Sequence, residues 1–372
     1  MAGLTSAFIG TGPNPETQNN EGFAMAYRHA AAYERADVDL IACADIVHEN
    51  AEAFADYWGI DDGNVYEDYE RMLGAVNPDV VSICTPPHTH ANIVVDCARS
   101  GAVSAIHCEK PMDRTWEAVT RMVAVCEEEG VRLTFNHQRR FGKPYRMAKE
   151  LLNAGEIGQL ERVEMAAPNI YDYGSHSVDL CNYFNDETQA KWVISQIDYR
   201  NEDLWFGVHN ENQTLASWEY ENGVQGLAAT GFGADLVDCH HRLIGSEGTI
   251  EIGRGFPNSE VEEQVLRIER ESDDGWEYVD TDNEGLHGKD AAESKFGRVY
   301  INRAIADVTE AVETSQESEL SAHNAIKATE IIFGAWESSR KRGRVEFPLD
   351  IEDNPLDAMI DSGALIPTPS ND

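Results

Sequence analysis

Positive charge is scarce in this chain: Lys and Arg together number 29 against 67 Asp and Glu, a formal net charge of -38 over 372 residues. The acidic residues run through the whole length instead of forming a tail, the pattern of a solvated anionic surface. A basic stripe, which nucleic-acid backbones and anionic membranes require, is missing apart from Arg340, Lys341 and Arg342 closing a predicted helix, so neither partner is expected. Such self-repulsion is screened near molar salt, where the Debye length falls to about 3 Å, and the composition reads as salt adaptation. Long apolar runs are also absent. No stretch approaches about 18 apolar residues and residues 1–6 carry no basic segment, so the cytoplasm is the expected location. The seven cysteines are odd in number and show no C-x-x-C spacing, which excludes a disulfide framework and a zinc knuckle. No metal site is expected.

What is there is an ordinary apolar fraction of 42%, enough for a large core and, at this length, two domains. Short apolar runs alternate with helical patterns through the first third. Strands are expected at 6–10, 39–44, 79–84, 104–108 and 132–135, and helices at 22–35, 50–58, 66–74, 90–100 and 115–129. This is the signature of βαβ units and a parallel sheet. After about residue 136 the texture changes to longer segments of alternating polarity, at 160–167, 191–199, 213–220, 224–230, 240–244 and 265–271, entered through a helix near 142–154. These describe a mostly antiparallel sheet, with Glu221-Asn222-Gly223 as a hairpin turn. Helical patterns follow at 299–315 and 321–341. The fold class is therefore α/β: a Rossmann-type parallel-sheet domain over 1–135, an α+β domain with a predominantly antiparallel open sheet over 136–350, and a loosely held acidic and polar tail over 351–372.

The first strand runs into Gly10-Thr11-Gly12, the beginning of a turn whose backbone amides can approach a pyrophosphate. The fingerprint is incomplete, because Pro15 stands where a third glycine is expected and residues 14–21 read as an insertion before Gly22, a possible helix start. Asp45 ends the second strand, where a carboxylate can accept hydrogen bonds from ribose hydroxyls or simply face solvent. Its charge would repel a 2′-phosphate and no Arg follows it, which favours NAD over NADP. His88 and His90 lie two apart in a Pro-rich loop and suit loop and cofactor-edge packing better than a metal. His240-His241 has no companion ligands, and Trp192, Trp205 and Trp218 suit the core or a sheet face.

More specific are Thr85-Pro86-Pro87-His88-Thr89-His90-Ala91 after one buried strand and Glu109-Lys110-Pro111 after the next. With these segments the chain resembles the Gfo/Idh/MocA oxidoreductases. The resemblance continues through Asn136 to Phe141, the turn at 155–158, the segment from Asp172 to Asp179, the turn at 245–249 and the stretch 343–348, nearly the whole chain. The insertion at 14–21 departs from the family pattern.

The resemblance implies hydride transfer between NAD(P) and a secondary alcohol of a sugar, sugar derivative or inositol, in a homodimer or homotetramer. It implies that Gly10, Thr11, Gly12, Asp45, Ile46, Thr85, Pro86, His90, Glu109 and Lys110 line the dinucleotide, and that Lys110, Gln138, Arg139, Asp172 and His176 meet the substrate. Lys110 is placed beside the nicotinamide and His176 is the acid/base, with Asp172 as its helper. The residue chemistry agrees. An ammonium at a parallel strand's carboxyl end can polarise an oxygen as charge develops, and only eight lysines occur in the chain. Asp172, His176 and Asp179 are spaced to share one helical face, where a carboxylate orients an imidazole and favours its protonated form. Asp172 or Ser175 can equally cap that helix, and Gln138 and Arg139 can equally pair with the acidic surface. Three alternatives remain at this point: transient oxidation driving glycoside cleavage or isomerisation, a non-catalytic dinucleotide sensor, and a simple sugar-binding protein, which would not need Glu109-Lys110-Pro111.

Overall fold

The structure, a computed structural model, describes residues 3–15, 24–256, 264–272, 274–287, 296 and 298–369. The chain forms two compact units, Met1–Arg114 with Ala118–Gln138 and Lys289–Ala325, and Thr115–Glu117 with Arg139–Gly288 and Ile326–Asp372.

The first unit is built on β1 (Thr5–Ile9), α1 (Met25–Arg35), β2 (Asp39–Ala44), α2 (His48–Trp58), β3 (Val65–Tyr66), α3 (Tyr69–Ala75), β4 (Val80–Ile83), α4 (His90–Arg99), β5 (Ala105–Cys108), α5 (Trp116–Glu129) and β6 (Arg132–Phe135). The sheet order is β3-β2-β1-β4-β5-β6 with every pairing parallel. β4 and β5 are buried along their whole length, as strands sheathed by helices on both faces must be. Strand order reverses between β1 and β4, and open α/β sheets open a ligand crevice at the carboxyl ends of strands flanking such a point.

The second unit contains α6 (Lys143–Asn153), β7 (Leu160–Ala167), α7 (Gly174–Phe184), β8 (Ala190–Asp198), the short hairpin β9 (Leu204–Trp205) and β10 (Val208–His209), β11 (Gln213–Tyr220), β12 (Gln225–Thr230), β13 (Cys239–Gly245), β14 (Gly248–Arg254), β15 (Leu266–Arg270) and β16 (Glu277–Val279). After α8 (Val299–Thr314) and α9 (Ala322–Lys341) come β17 (Val345–Glu346) and α10 (Pro355–Asp361). The main sheet runs β16-β15-β14-β13-β7-β12-β11-β8-β17. Only β7 and β12 pair parallel; the other neighbours are antiparallel. β11 alternates strictly between buried and half-buried positions, and Trp218 lies wholly on its buried face.

Two expectations need correction. The contiguous division at 135/136 does not hold, because α8 returns to the first unit and packs on α1, and just before α8 the Phe296 ring lies 5.2 Å from Tyr27. A tertiary contact of that range leaves no local pattern. The segment from 351 onward is also not loose throughout. Asn354 caps α10 through Leu356 N–H (2.9 Å) and Asp357 N–H (3.2 Å), Leu356 and Met359 are buried, and Thr368 bridges to Asn201. The strands β14 and β17 were not anticipated either; each is short or begins in a glycine turn. Among the described residues all seven cysteines are free thiols, and no helix is long and apolar enough to cross a membrane.

Candidate active site

Gly10 leaves β1 with φ +82°, and a Cβ there would stand 2.5 Å from Thr85 Cγ2, so only glycine lets the two strand-end loops touch. Gly12 has φ +64°, and among the described residues no atom lies within 4 Å of where a Cβ would stand. Its N–H donates to Asp45 Oδ2 at 2.9 Å, Thr11 Oγ1 donates to the same oxygen at 3.2 Å, and Val47 N–H donates to Oδ1 at 2.9 Å. Asp45 is thus pinned against the glycine turn, and a carboxylate with about four acceptor positions retains capacity for a hydroxyl. Ile46 beside it is 91% exposed, an apolar side chain left in water next to an acceptor. Turn, acceptor and apolar edge fit the adenosine half of a dinucleotide. Most of the insertion at 14–21, and the Gly22 helix start, lie outside the described residues.

The Thr85 loop is stiffened by itself: the Thr85 and Thr89 hydroxyls lie 2.8 Å apart and Thr89 donates to Pro86 O at 2.7 Å. His90, expected at the cofactor, is instead a fully buried staple. Its Nε2 faces Thr85 O (2.9 Å) and its Nδ1 faces Pro111 O and Met112 O (3.0 and 3.1 Å), so it ties the Thr85 loop to the Lys110 loop. Asp113 joins them again, accepting from Ala91 N–H at 2.9 Å.

Glu109 is likewise corrected. Its carboxylate turns inward, accepting from His29 Nε2 at 2.8 Å and Asn136 Nδ2 at 2.7 Å. Burial alone would raise its pKa, but the His29 and Asn136 bonds and the nearby Lys110 override it and hold the carboxyl down at about 2. Burial likewise opposes protonation of His29, yet the Cys84 sulfur and the Glu109 carboxylate pull its pKa up to about 10. The pair is ionic. His107, 5.1 Å away between ring centres, is pushed down to about 3 by burial and then by the charge on His29. Lys110 itself is half-buried at the mouth of β5, on a cis bond to Pro111. At the end of this unit the Oε1 of Gln138 is buried without a hydrogen-bond partner, an orphan acceptor suited to a hydroxyl.

In the second unit α7 begins at Gly174, where a Cβ would meet Asn169 O at 2.4 Å, and carries His176 at 4% exposure. Asp172 precedes the helix, its N–H donating to Asn210 Oδ1 at 3.3 Å and its carbonyl accepting from Ser175 Oγ at 2.9 Å. The cap residue is Tyr173 with no side-chain cap bond, so neither Asp172 nor Ser175 caps α7. Nor does Asp179 serve His176: it forms a bidentate pair with Arg140, both bonds 2.6 Å, and Arg140 also reaches Glu187 at 2.6 Å. The spacing argument failed there because the buried Arg140 outcompetes any neighbour on the helix.

Arg139 is 7% exposed and has no carboxylate partner among the described residues. Its guanidinium lies 3.9 Å over the Tyr173 ring and donates from Nη1 to His240 Nε2 at 3.0 Å. Because Arg139 can only donate, the protons downstream are dictated. His240 Nδ1–H donates to His241 Nδ1 (2.7 Å), and His241 Nε2–H donates to Ser177 O (2.9 Å), the residue after His176. Burial first, then the neighbouring His241 and Arg139, drive His240 well below its ordinary value, while His241 falls to about 4. Both rings are neutral. Sequence reasoning missed His29, Asn136, Tyr173 and the role of His240 and His241, since each acts through partners far away in the chain.

A model of an oxidoreductase family with an NAD-binding Rossmann fold matches residues 21–137, and the model of its C-terminal alpha/beta domain matches residues 161–347, half of the chain. The chain is 33% identical over 140 residues to the inositol 2-dehydrogenase of Rhizobium meliloti, covering 37% of this chain and 41% of that protein. It is 31% identical over 133 residues to the D-glucoside 3-dehydrogenase of Escherichia coli, covering 36% and 37%. The match thus spans about two fifths of the length of these curated relatives. An inositol dehydrogenase homolog from Azotobacter vinelandii, solved in complex with NAD+, superimposes with a TM-score of 0.71 at 16% identity over 93% of this chain and 97% of that one, a likeness of fold. The parallel sheet, the glycine turn against Asp45 and the two matching models together establish that this chain belongs to the Gfo/Idh/MocA oxidoreductase family.

Proposed function

We propose that this protein is an NAD-dependent dehydrogenase oxidising a secondary alcohol of a polyol, sugar or sugar derivative, the substrate class named for its inositol and glucoside relatives. The carrying observation is the Gly12–Asp45 contact beside an open position at the end of β1, which fits a dinucleotide whose ribose carries free hydroxyls. Asp45 disfavours a 2′-phosphate, hence NAD over NADP. NAD, when bound there, would supply the hydride acceptor. Lys110 holds the substrate oxygen by an ionic hydrogen bond that strengthens as negative charge develops there. His176, oriented by Asp172, takes the hydroxyl proton, so that hydride and proton leave the same carbinol. Gln138 and Arg139 hydrogen-bond further hydroxyls. Ile46, Thr85 and Pro86 border the cofactor.

The protein works as a homodimer or homotetramer in the cytoplasm of a cell with high internal salt, with neither nucleic acid nor membrane as partner, in keeping with its net charge of -38. The test is a panel of inositols, hexoses, pentoses and sugar acids with NAD and with NADP in molar KCl. NADH accumulation at 340 nm with at least one polyol is expected, and Lys110→Ala should cut it to a small residual rate while retaining NAD binding. Product formation without accumulation of NADH would redirect the assignment to transient oxidation. Unchanged turnover in Lys110→Ala would remove Lys110 from the chemistry.

A further inference from the structure

The buried ion pair beneath the strand ends has no part in the steps above. His29 is fully buried on α1, and its ring nitrogens reach Ser82 Oγ on β4 and Glu109 Oε1, each at 2.8 Å. Asn136, directly after β6, donates to the same Oε1 at 2.7 Å. The second carboxylate oxygen accepts the Lys110 N–H at 3.3 Å. One carboxylate therefore gathers α1, the end of β6 and the first peptide of Lys110. Ionic hydrogen bonds are shorter and stronger than neutral ones, and a water-free interior strengthens them further. Consecutive side chains leaving a strand point to opposite sides, so an inward Glu109 sends Lys110 outward.

We infer that His29 is a positioning residue for Lys110: with Asn136 it clamps the Glu109 carboxylate and thereby fixes the peptide from which the Lys110 ammonium is aimed. The inference rests on the role given to Lys110 above. A carboxylate at this depth, stripped of His29, takes up a proton or swings toward water, and both release the Lys110 peptide. A misplacement of about 1 Å at a reacting group costs about 10²-fold in rate.

The experiment compares His29→Leu, His29→Leu/Glu109→Leu and Lys110→Ala, alone and combined, using NAD and the polyol of the panel that turns over fastest. His29→Leu is expected to lower kcat ~10²-fold with KM and the Kd for NAD within ~3-fold. The double Leu variant buries no charge, so it recovers folding stability while kcat stays low. In the Lys110→Ala background His29→Leu adds no further loss, the non-additivity of residues acting through one group. Without any turnover, amide exchange at Lys110 and Met112 in the NAD-free protein rises ~10-fold in His29→Leu. A kcat within ~3-fold of the parent in either folded Leu variant, or a fully additive loss with Lys110→Ala, overturns the positioning role. Intact turnover in Lys110→Ala overturns this inference together with the role of Lys110, whereas collapse there beside an unaffected His29→Leu overturns the positioning role alone.

Discussion

Each unit buries a histidine cluster, and the two clusters hold opposite protonation states. In the first, the Cys84 sulfur and the Glu109 carboxylate flank His29 and hold its pKa up at about 10 against burial, so it stays protonated. In the second, His240 faces the Arg139 guanidinium and stays neutral, passing that constraint to His241, whose pKa is about 4. Burial pushes both rings the same way; the sign of the nearest fixed charge decides which push wins. A buried imidazole is therefore not one kind of object, and its role follows from what it touches.

The sharpest way to break the contrast is to remove the anion. Glu109→Ala strands a buried imidazolium, and unfolding in urea should show a loss of about 3–5 kcal/mol. A loss under 1 kcal/mol would mean that the pair is not ionic.

The contrast extends to pH. His29, raised in the fold, contributes stability that is complete below its ordinary 6.5 and fades as pH climbs toward about 10. Glu109, depressed in the fold, contributes above its ordinary 4.5 and fades as pH falls toward about 2. His241 runs the other way from His29: its contribution is complete above 6.5 and is lost as pH drops through about 4. Alkaline solution should therefore loosen the first unit and mild acid the second. Amide exchange at β5 and at β13, corrected for intrinsic rates at pH 5, 7 and 9, should move in opposite directions, and parallel movement would contradict the assignment.

A smaller effect is expected from His241→Phe, which keeps the ring volume but forfeits both the bond to Ser177 O and the acceptor for His240 Nδ1–H; two neutral bonds of this kind are worth about 2 kcal/mol. Thermal unfolding at pH 7 should report that loss. The smallest concerns salt. Raising KCl from 0.1 to 2 M should stabilise the whole protein by screening its surface, yet change the His29–Glu109 coupling energy in a double-mutant cycle by less than about 0.5 kcal/mol, because ions do not reach a buried pair.

Much of this architecture was legible beforehand. β6, β7 and β11 begin and end where the local pattern placed them: β11 alternates residue by residue, while β6 and β7 carry runs of buried residues bounded by polar ones. The glycine turn and Asp45 were legible for the same reason, being local in sequence. His29 was not: it lies among alanines on the buried face of α1, 80 residues from Glu109, and nothing in a helical pattern distinguishes an ionised histidine from a packed one. Asp179 misled in the converse way, since its spacing to His176 was real but its partner, Arg140, came from 39 residues away. Periodicity reports which face is buried, and stays silent on which charges meet there.

The return of α8 to the first unit has a consequence for biogenesis. When the ribosome has finished α1, the helix that packs on it, α8, is still some 264 residues from being made. At about 5–20 residues per second the nascent nucleotide-binding half waits on the order of tens of seconds with an apolar flank open. From such a discontinuous layout we expect an N-terminal fragment ending near residue 138 to aggregate, which sedimentation of that fragment would check.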